Sequence, residues 1–100
     1  MVYEVVISTV APAQREEYIA AWRAAWLEAA APGAHNVAIM PCIEDPARVI
    51  TMIEWDSVEA HEKQRTTAAH GRFRDQVQRY RTGPSDLKHY LMDEFPTHPA

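Results

Sequence analysis

Two segments of this sequence alternate as β-strands do, yet each is apolar on both of its alternating faces. In VYEVVISTV, residues 2–10, one face would carry Tyr3, Val5 and Ile7, and the other Val2, Val6 and Val10. RVITMIEW, residues 48–55, has the same character. Such strands need cover on two sides, because a monomer rarely leaves a large apolar patch in water.

The remaining patterns give the order βαββαβ. The predicted elements are a strand over 2–10, a helix from Pro12 to a Pro32-Gly33 stop, strands over 34–43 and 48–55, a helix from Ser57 to about Arg65, a helical stripe from Ala69 to Tyr80, and a strand over 87–95. This order predicts an α+β chain of ferredoxin-like topology, with a four-stranded antiparallel sheet and both helices on one face. We expect one domain over residues 1–95 and a C-terminal tail over 96–100.

Helices on one face of the sheet leave the other apolar face uncovered. A second copy of the same sheet is the simplest cover for it. The sequence therefore predicts a homodimer formed by packing sheet against sheet.

Composition narrows the classes of function. A single cysteine, Cys42, forms no internal disulfide and favours a cytoplasmic protein. No apolar stretch is long enough to span a bilayer, and three glycines leave no room for a phosphate-binding loop, so neither a membrane nor a nucleotide cofactor is expected.

Charge is unevenly distributed along this acidic chain. Residues 61–81 hold six of the ten basic side chains and two acidic ones. This segment is either a solvated helix face or a mouth that attracts an anionic small molecule. The strand VITMIEW lacks the aromatic pattern of RNA-binding sheets, so no nucleic-acid partner is expected.

The run PCIEDPARVITMIEWDSVEAHEK, residues 41–63, resembles the antibiotic biosynthesis monooxygenase family. The Glu16-Glu17 helix start, the Pro32-Gly33 turn and the Ala-His-Gly-Arg-Phe run at 69–73 also fall where that family has similar elements, so the resemblance covers about residues 2–73. It implies a dimeric α+β barrel.

The function implied by the resemblance is that of a cofactor-independent monooxygenase, with no metal, acting on a small aromatic or polycyclic ketone or phenol. The same superfamily includes isomerases and haem-degrading enzymes, and a non-catalytic small-molecule-binding protein is a further alternative. In the haem-degrading branch, the tryptophan position falls on Gln64 and the histidine position near Arg74, and the first strand lacks the asparagine of that branch.

His61 and Arg65 interrupt an apolar helical stripe that includes Val58 and Ala68. Histidine suits a general base because its ordinary pKa of about 6.5 lies near neutrality, and an arginine beside it would stabilise an enolate. The alternative is a structural core histidine beside a surface arginine. His70 is the third catalytic candidate, or else a capping or surface histidine.

Four aromatic residues are candidates for lining a substrate pocket, and each would also serve as a core residue: Tyr3, Trp22, Trp26 and Trp55. His35 and His89 alternate within strands and could face each other across the sheet or the dimer seam. No His-x-His or HExxH spacing supports a metal site, and none is predicted.

Overall fold

The computed structural model describes residues 1–92 and confirms the ferredoxin-like α+β fold. Its elements are β1 (Val2–Thr9), α1 (Arg15–Ala29), β2 (Ala34–Pro41), β3 (Arg48–Trp55), α2 (Val58–Arg65), α3 (Ala68–Gln78) and β4 (Asp86–Leu91). The end of the predicted fourth strand and the predicted tail lie outside the described residues.

The four strands form one antiparallel sheet in the order β2-β3-β1-β4. The two central strands, β1 and β3, pair without a break from Val2↔Trp55 to Thr9↔Arg48. On its other side β1 pairs with the edge strand β4, where Glu4 lies directly opposite His89. This register determines which polar side chains meet beneath the helices.

One face of the sheet is buried beneath the helices. Alternate residues of β3, from Val49 to Trp55, lie on this face. Of these, the apolar ones pack with Tyr18, Ile19 and Trp22 of α1 in one hydrophobic core. The matching face of β1 is less apolar, because Glu4 and Ser8 occupy it beside Val6. The core therefore contains a buried carboxyl group.

The opposite sheet face, which we call the open face, carries half-buried apolar side chains at its centre: Tyr3, Val5, Ile7, Ile50 and Met52. Met40 and Tyr90 extend it onto the outer strands and are 41% and 52% exposed. Polar groups mark its edges, among them Glu54, which accepts a hydrogen bond from the Tyr3 hydroxyl at 2.5 Å.

Local chemistry sets the helix boundaries. The Ser57 hydroxyl accepts a hydrogen bond from the backbone of Ala60 at the start of α2, and the Thr67 hydroxyl does the same for His70 in α3. The break expected between Arg65 and Ala69 thus separates two capped helices. Ala30 has φ 44°, a left-handed conformation that ends α1.

Several predicted boundaries differ from those observed. Pro12 begins a single 3₁₀ turn over Pro12–Gln14, so α1 starts at Arg15. Strand β2 stops at Pro41 rather than at residue 43, and α3 ends at Gln78, two residues before the predicted end at Tyr80. No helix within residues 1–92 is both long and apolar enough to cross a membrane.

Candidate active site

The carboxyl group of Glu4 lies inside the protein because β1 alternates. Glu4 shares the helix-facing side of the strand with Val6 and is 6% exposed. The indole of Trp55 donates a hydrogen bond to Oε1 of Glu4 at 2.9 Å. Tryptophan at the end of β3 is thereby both a core residue and the donor that holds this carboxyl group.

His61 contacts the same carboxyl oxygen from the other side. It lies one turn into α2, is 1% exposed, and places Nε2 3.2 Å from Oε1 of Glu4. Its ring stacks on Trp55, with centroids 4.9 Å apart and planes 22° from parallel. Its second nitrogen, Nδ1, lies 2.7 Å from Nε2 of His89 on β4. Glu4, His61 and His89 therefore form a continuous series of polar contacts, which we call the buried relay.

Burial shifts the pKa values of two relay members in the directions that disfavour charge. It raises the pKa of Glu4 above its ordinary 4.5, although the Trp55 hydrogen bond and the charges of Arg65 and Arg81 oppose this. It lowers the pKa of His61 to about 4, with additional repulsion from His89, Arg65 and His70. His61 is consequently neutral at pH 7 and lies against the Glu4 carboxyl group as an uncharged imidazole.

The buried relay borders a cavity of about 160 Å³. Glu4 and His61 line it beside the aromatic rings of Trp22 and Phe73. These two rings pack edge to face with their centroids 5.3 Å apart. Four basic side chains also line it, from α2, α3 and the segment before β4: Arg65, His70, Arg74 and Arg81. The cavity combines a buried acid–base pair, aromatic walls and positive charge.

The three predicted catalytic side chains, His61, Arg65 and His70, all line this cavity. His61 is fully buried, whereas Arg65 is exposed and lies at the rim. His70 is half-buried, and burial together with Arg65 and Arg74 lowers its pKa. Their chemical roles stay predictions.

The four aromatic residues predicted to line a substrate pocket do not all lie at the cavity. Trp22 lines the cavity, and Trp55 lies against His61 and Glu4. Trp26 stacks on Trp22 with centroids 5.5 Å apart but borders a separate groove between α1 and β2. Tyr3 does not share the cavity, because strand alternation turns it to the open face.

The expectation that His35 and His89 face each other across the sheet needs correction. His35 places Nε2 2.6 Å from Asp56, on the far side of the sheet from β4, whereas His89 contacts His61. Within residues 1–92, no three His, Cys, Asp or Glu side chains have the arrangement that would hold a metal ion.

Sequence reasoning missed Glu4 and His89 as members of the site. The signal for Glu4 was an acidic residue between Val2 and Val6, the one charged side chain on its face of the strand. The sequence around His89 gave no comparable indication, because the contact between His89 and His61 depends on how β4 pairs with β1.

Solved structures of similar fold include a candidate antibiotic biosynthesis monooxygenase of Bordetella bronchiseptica, with 25% identity, a TM-score of 0.85, and coverage of 93% of this chain and 97% of that one. Another, from Caulobacter crescentus, has 14% identity, a TM-score of 0.79, and coverage of 93% and 90%. SnoaB of Streptomyces nogalater, a cofactor-independent oxygenase solved as a point mutant, has 18% identity, a TM-score of 0.74, and 97% coverage of both chains. The last two similarities, below 25% identity, show the fold alone.

No curated protein matches the sequence. The family model for antibiotic biosynthesis monooxygenase matches residues 1–76, which include the first three strands, α1, α2 and most of α3. This chain therefore belongs to the antibiotic biosynthesis monooxygenase family.

Proposed function

We propose that this protein is a cofactor-independent monooxygenase acting on a small aromatic ketone or phenol. One observation carries the proposal: a buried carboxyl–imidazole pair, Glu4 and His61, borders a cavity with aromatic walls and a cationic rim. Perturbed titratable groups in a cavity are typical of acid–base sites. The family membership supports the same reaction class.

The proposed reaction begins when the pair removes a proton from a ring position activated by a carbonyl or hydroxyl group. The resulting anion passes one electron to dioxygen, and the two radicals combine as a peroxide. The peroxide takes back the proton held by the pair, and loss of water then leaves a new carbonyl group. The substrate supplies all four electrons, and one oxygen atom goes to the product and the other to water.

The geometry supports Glu4 and His61 acting as one unit. Both ring nitrogens of His61 contact other relay members, so His61 alone has no nitrogen directed only at the cavity. With Glu4 ionised and His61 neutral, the pair has room for one proton. His89, on the edge strand, then offers that proton a further acceptor.

Positive charge near the substrate oxygen would stabilise the anion formed in the first step. Arg65 at the rim is our candidate for that role, since it lines the cavity and acts electrostatically on both Glu4 and His61. His70, whose lowered pKa favours the neutral form at pH 7, would donate a hydrogen bond.

Oxygen uptake with mass-spectrometric product analysis tests the proposal, using anthrones, hydroquinones and haem as substrates. We expect turnover of a phenol or ketone, and a loss of roughly 10²-fold or more in kcat for Glu4→Gln and for His61→Gln. His35→Gln is the matched control, because its partner Asp56 is outside the cavity. Tight ligand binding with no oxygen uptake across the panel would instead identify a non-catalytic binding protein.

We also propose that two chains pair through their open faces. The centre of that face is apolar, and the exposed Met40 and Tyr90 widen it. Sedimentation velocity at micromolar concentration should give twice the chain mass of 11.4 kDa. Ile50→Glu should yield a folded monomer, whereas Leu27→Glu, at a position on α1 that is 81% exposed, should remain dimeric. A monomeric wild-type protein would refute the pairing.

A further inference from the structure

Three arginines converge on the cavity from separate parts of the fold. Arg65 ends α2, Arg74 lies in α3, and Arg81 follows α3. None of the three forms an ion pair within residues 1–92, and the one carboxyl group that lines the cavity is Glu4. Three guanidinium groups and the single carboxyl group of Glu4 leave the lining of the cavity with an excess of positive charge.

Arg81 gives a second and independent indication of a ligand site. Its Nε is buried and has no hydrogen-bond partner within residues 1–92. The backbone of Arg81 is fixed by a β-bridge to Val10, so the base of the side chain is held in place. A buried guanidinium nitrogen without a partner is unusual in a folded protein. Arg81 also lines the cavity, so a ligand bound there lies next to this unsatisfied cation.

We infer that this cavity binds an aromatic ring bearing one carboxylate, with the carboxylate held by Arg81 and its neighbouring arginines. The inference rests on the proposed function in that it names the substrate class of the same site. Trp22 and Phe73 supply faces and edges for the ring, and the arginines supply charge for the acid group. A cavity of about 160 Å³ is close in size to one that holds benzene, about 150 Å³, so a single ring fits inside it.

Binding measurements without oxygen or turnover separate this inference from the proposed reaction. We would titrate the protein with benzoate and with neutral benzamide by calorimetry, and follow the arginine Nε–H resonances by NMR. Benzoate should bind at least roughly tenfold more tightly than benzamide, as expected for a charge-assisted contact, and should shift the Arg81 Nε–H resonance. The difference in affinity between benzoate and benzamide should decrease as salt is added.

Variants test which arginines are responsible. Arg81→Gln and Arg74→Gln should each reduce the preference for benzoate, while Arg72→Gln, an exposed position on α3 outside this cavity, should keep it. Circular dichroism and thermal unfolding verify that each variant is folded, and Arg74, itself exposed, serves as the test if Arg81→Gln unfolds.

Equal affinity for benzoate and benzamide would overturn the inference, as would an unchanged preference in folded Arg74→Gln and Arg81→Gln. Inorganic phosphate competing as well as benzoate would also overturn it, because the arginines would then hold a simple anion. If benzoate binds as expected but no aromatic acid or ketone consumes oxygen, the binding class stands and the proposed reaction fails.

Discussion

Protonation of the buried His61 should make the fold measurably less stable in mild acid. Burial, with repulsion from nearby basic groups, lowers the pKa of His61 from its ordinary 6.5 to about 4. Above pH 6.5 the imidazole is neutral in both the folded and the unfolded chain. Between pH 6.5 and about 4 only the unfolded chain takes up the proton, so the free energy of unfolding falls as pH falls. Below about pH 4 both states are protonated and the contribution stays constant.

The size of this effect follows from the change in pKa. Each pH unit across the window corresponds to about 1.4 kcal/mol, so His61 should remove about 3 kcal/mol of stability between pH 6.5 and pH 4. Glu4 complicates the measurement, because burial raises its pKa and gives an opposite slope in an overlapping window. The substitution Glu4→Gln removes that slope and retains an oxygen to accept the Trp55 hydrogen bond.

The assay compares Glu4→Gln with the double variant Glu4→Gln, His61→Gln. Urea unfolding from pH 7.5 to pH 4 gives the free energy of unfolding of each protein. Groups such as His70 titrate in both proteins and cancel in the difference. We expect the advantage of retaining His61 to shrink by about 3 kcal/mol from pH 7 to pH 4. A difference that does not change with pH would refute the assignment of His61 as a buried neutral imidazole.

Two further stability predictions follow from single contacts. Glu4→Gln should raise the free energy of unfolding at pH 7 by about 1 kcal/mol, because the raised pKa of Glu4 shows that the folded state disfavours its charge. Urea unfolding at pH 7 measures this change. A loss of stability would contradict the prediction. Gly33→Ala should cost about 1–2 kcal/mol, since Gly33 has φ 88° and a new Cβ would lie 3.2 Å from that of Ala60. Gly71→Ala is the control, because no heavy atom lies within 4 Å of the added carbon and α3 should gain stability. Equal changes in stability at the two glycines would exclude the backbone conformation of Gly33 as the cause of the loss.

Features encoded in short stretches of the chain were predictable. Alternation identified the strands, and the hydroxyl cap at Ser57 gave the start of α2. Helix and strand ends were less predictable, because the left-handed conformation that stops α1 falls on Ala30, a residue with no preference for it.

The site was predictable only where the pattern of one element revealed it. His61 and Arg65 were visible as polar residues on an apolar helical stripe, and the structure places both at the cavity. Glu4 and His89 became neighbours of His61 through the pairing of β1 with β4, a contact between residues 85 positions apart. Sequence periodicity within one element does not fix such a register. For the same reason it did not fix which face of β1 would carry Tyr3.

The cost of burying Glu4 bears on why the residue is there. Within residues 1–92 its hydrogen-bond donor is the Trp55 indole, and a glutamine would accept that bond equally well without a charge to desolvate. A structural role therefore explains a polar side chain at position 4 but not an ionisable one. Acid–base chemistry does require a group that gains and loses a proton, and the raised pKa of Glu4 moves that event toward neutral pH. The same burial that weakens the fold is what makes the carboxylate a stronger base, so stability and activity should change in opposite directions at this position.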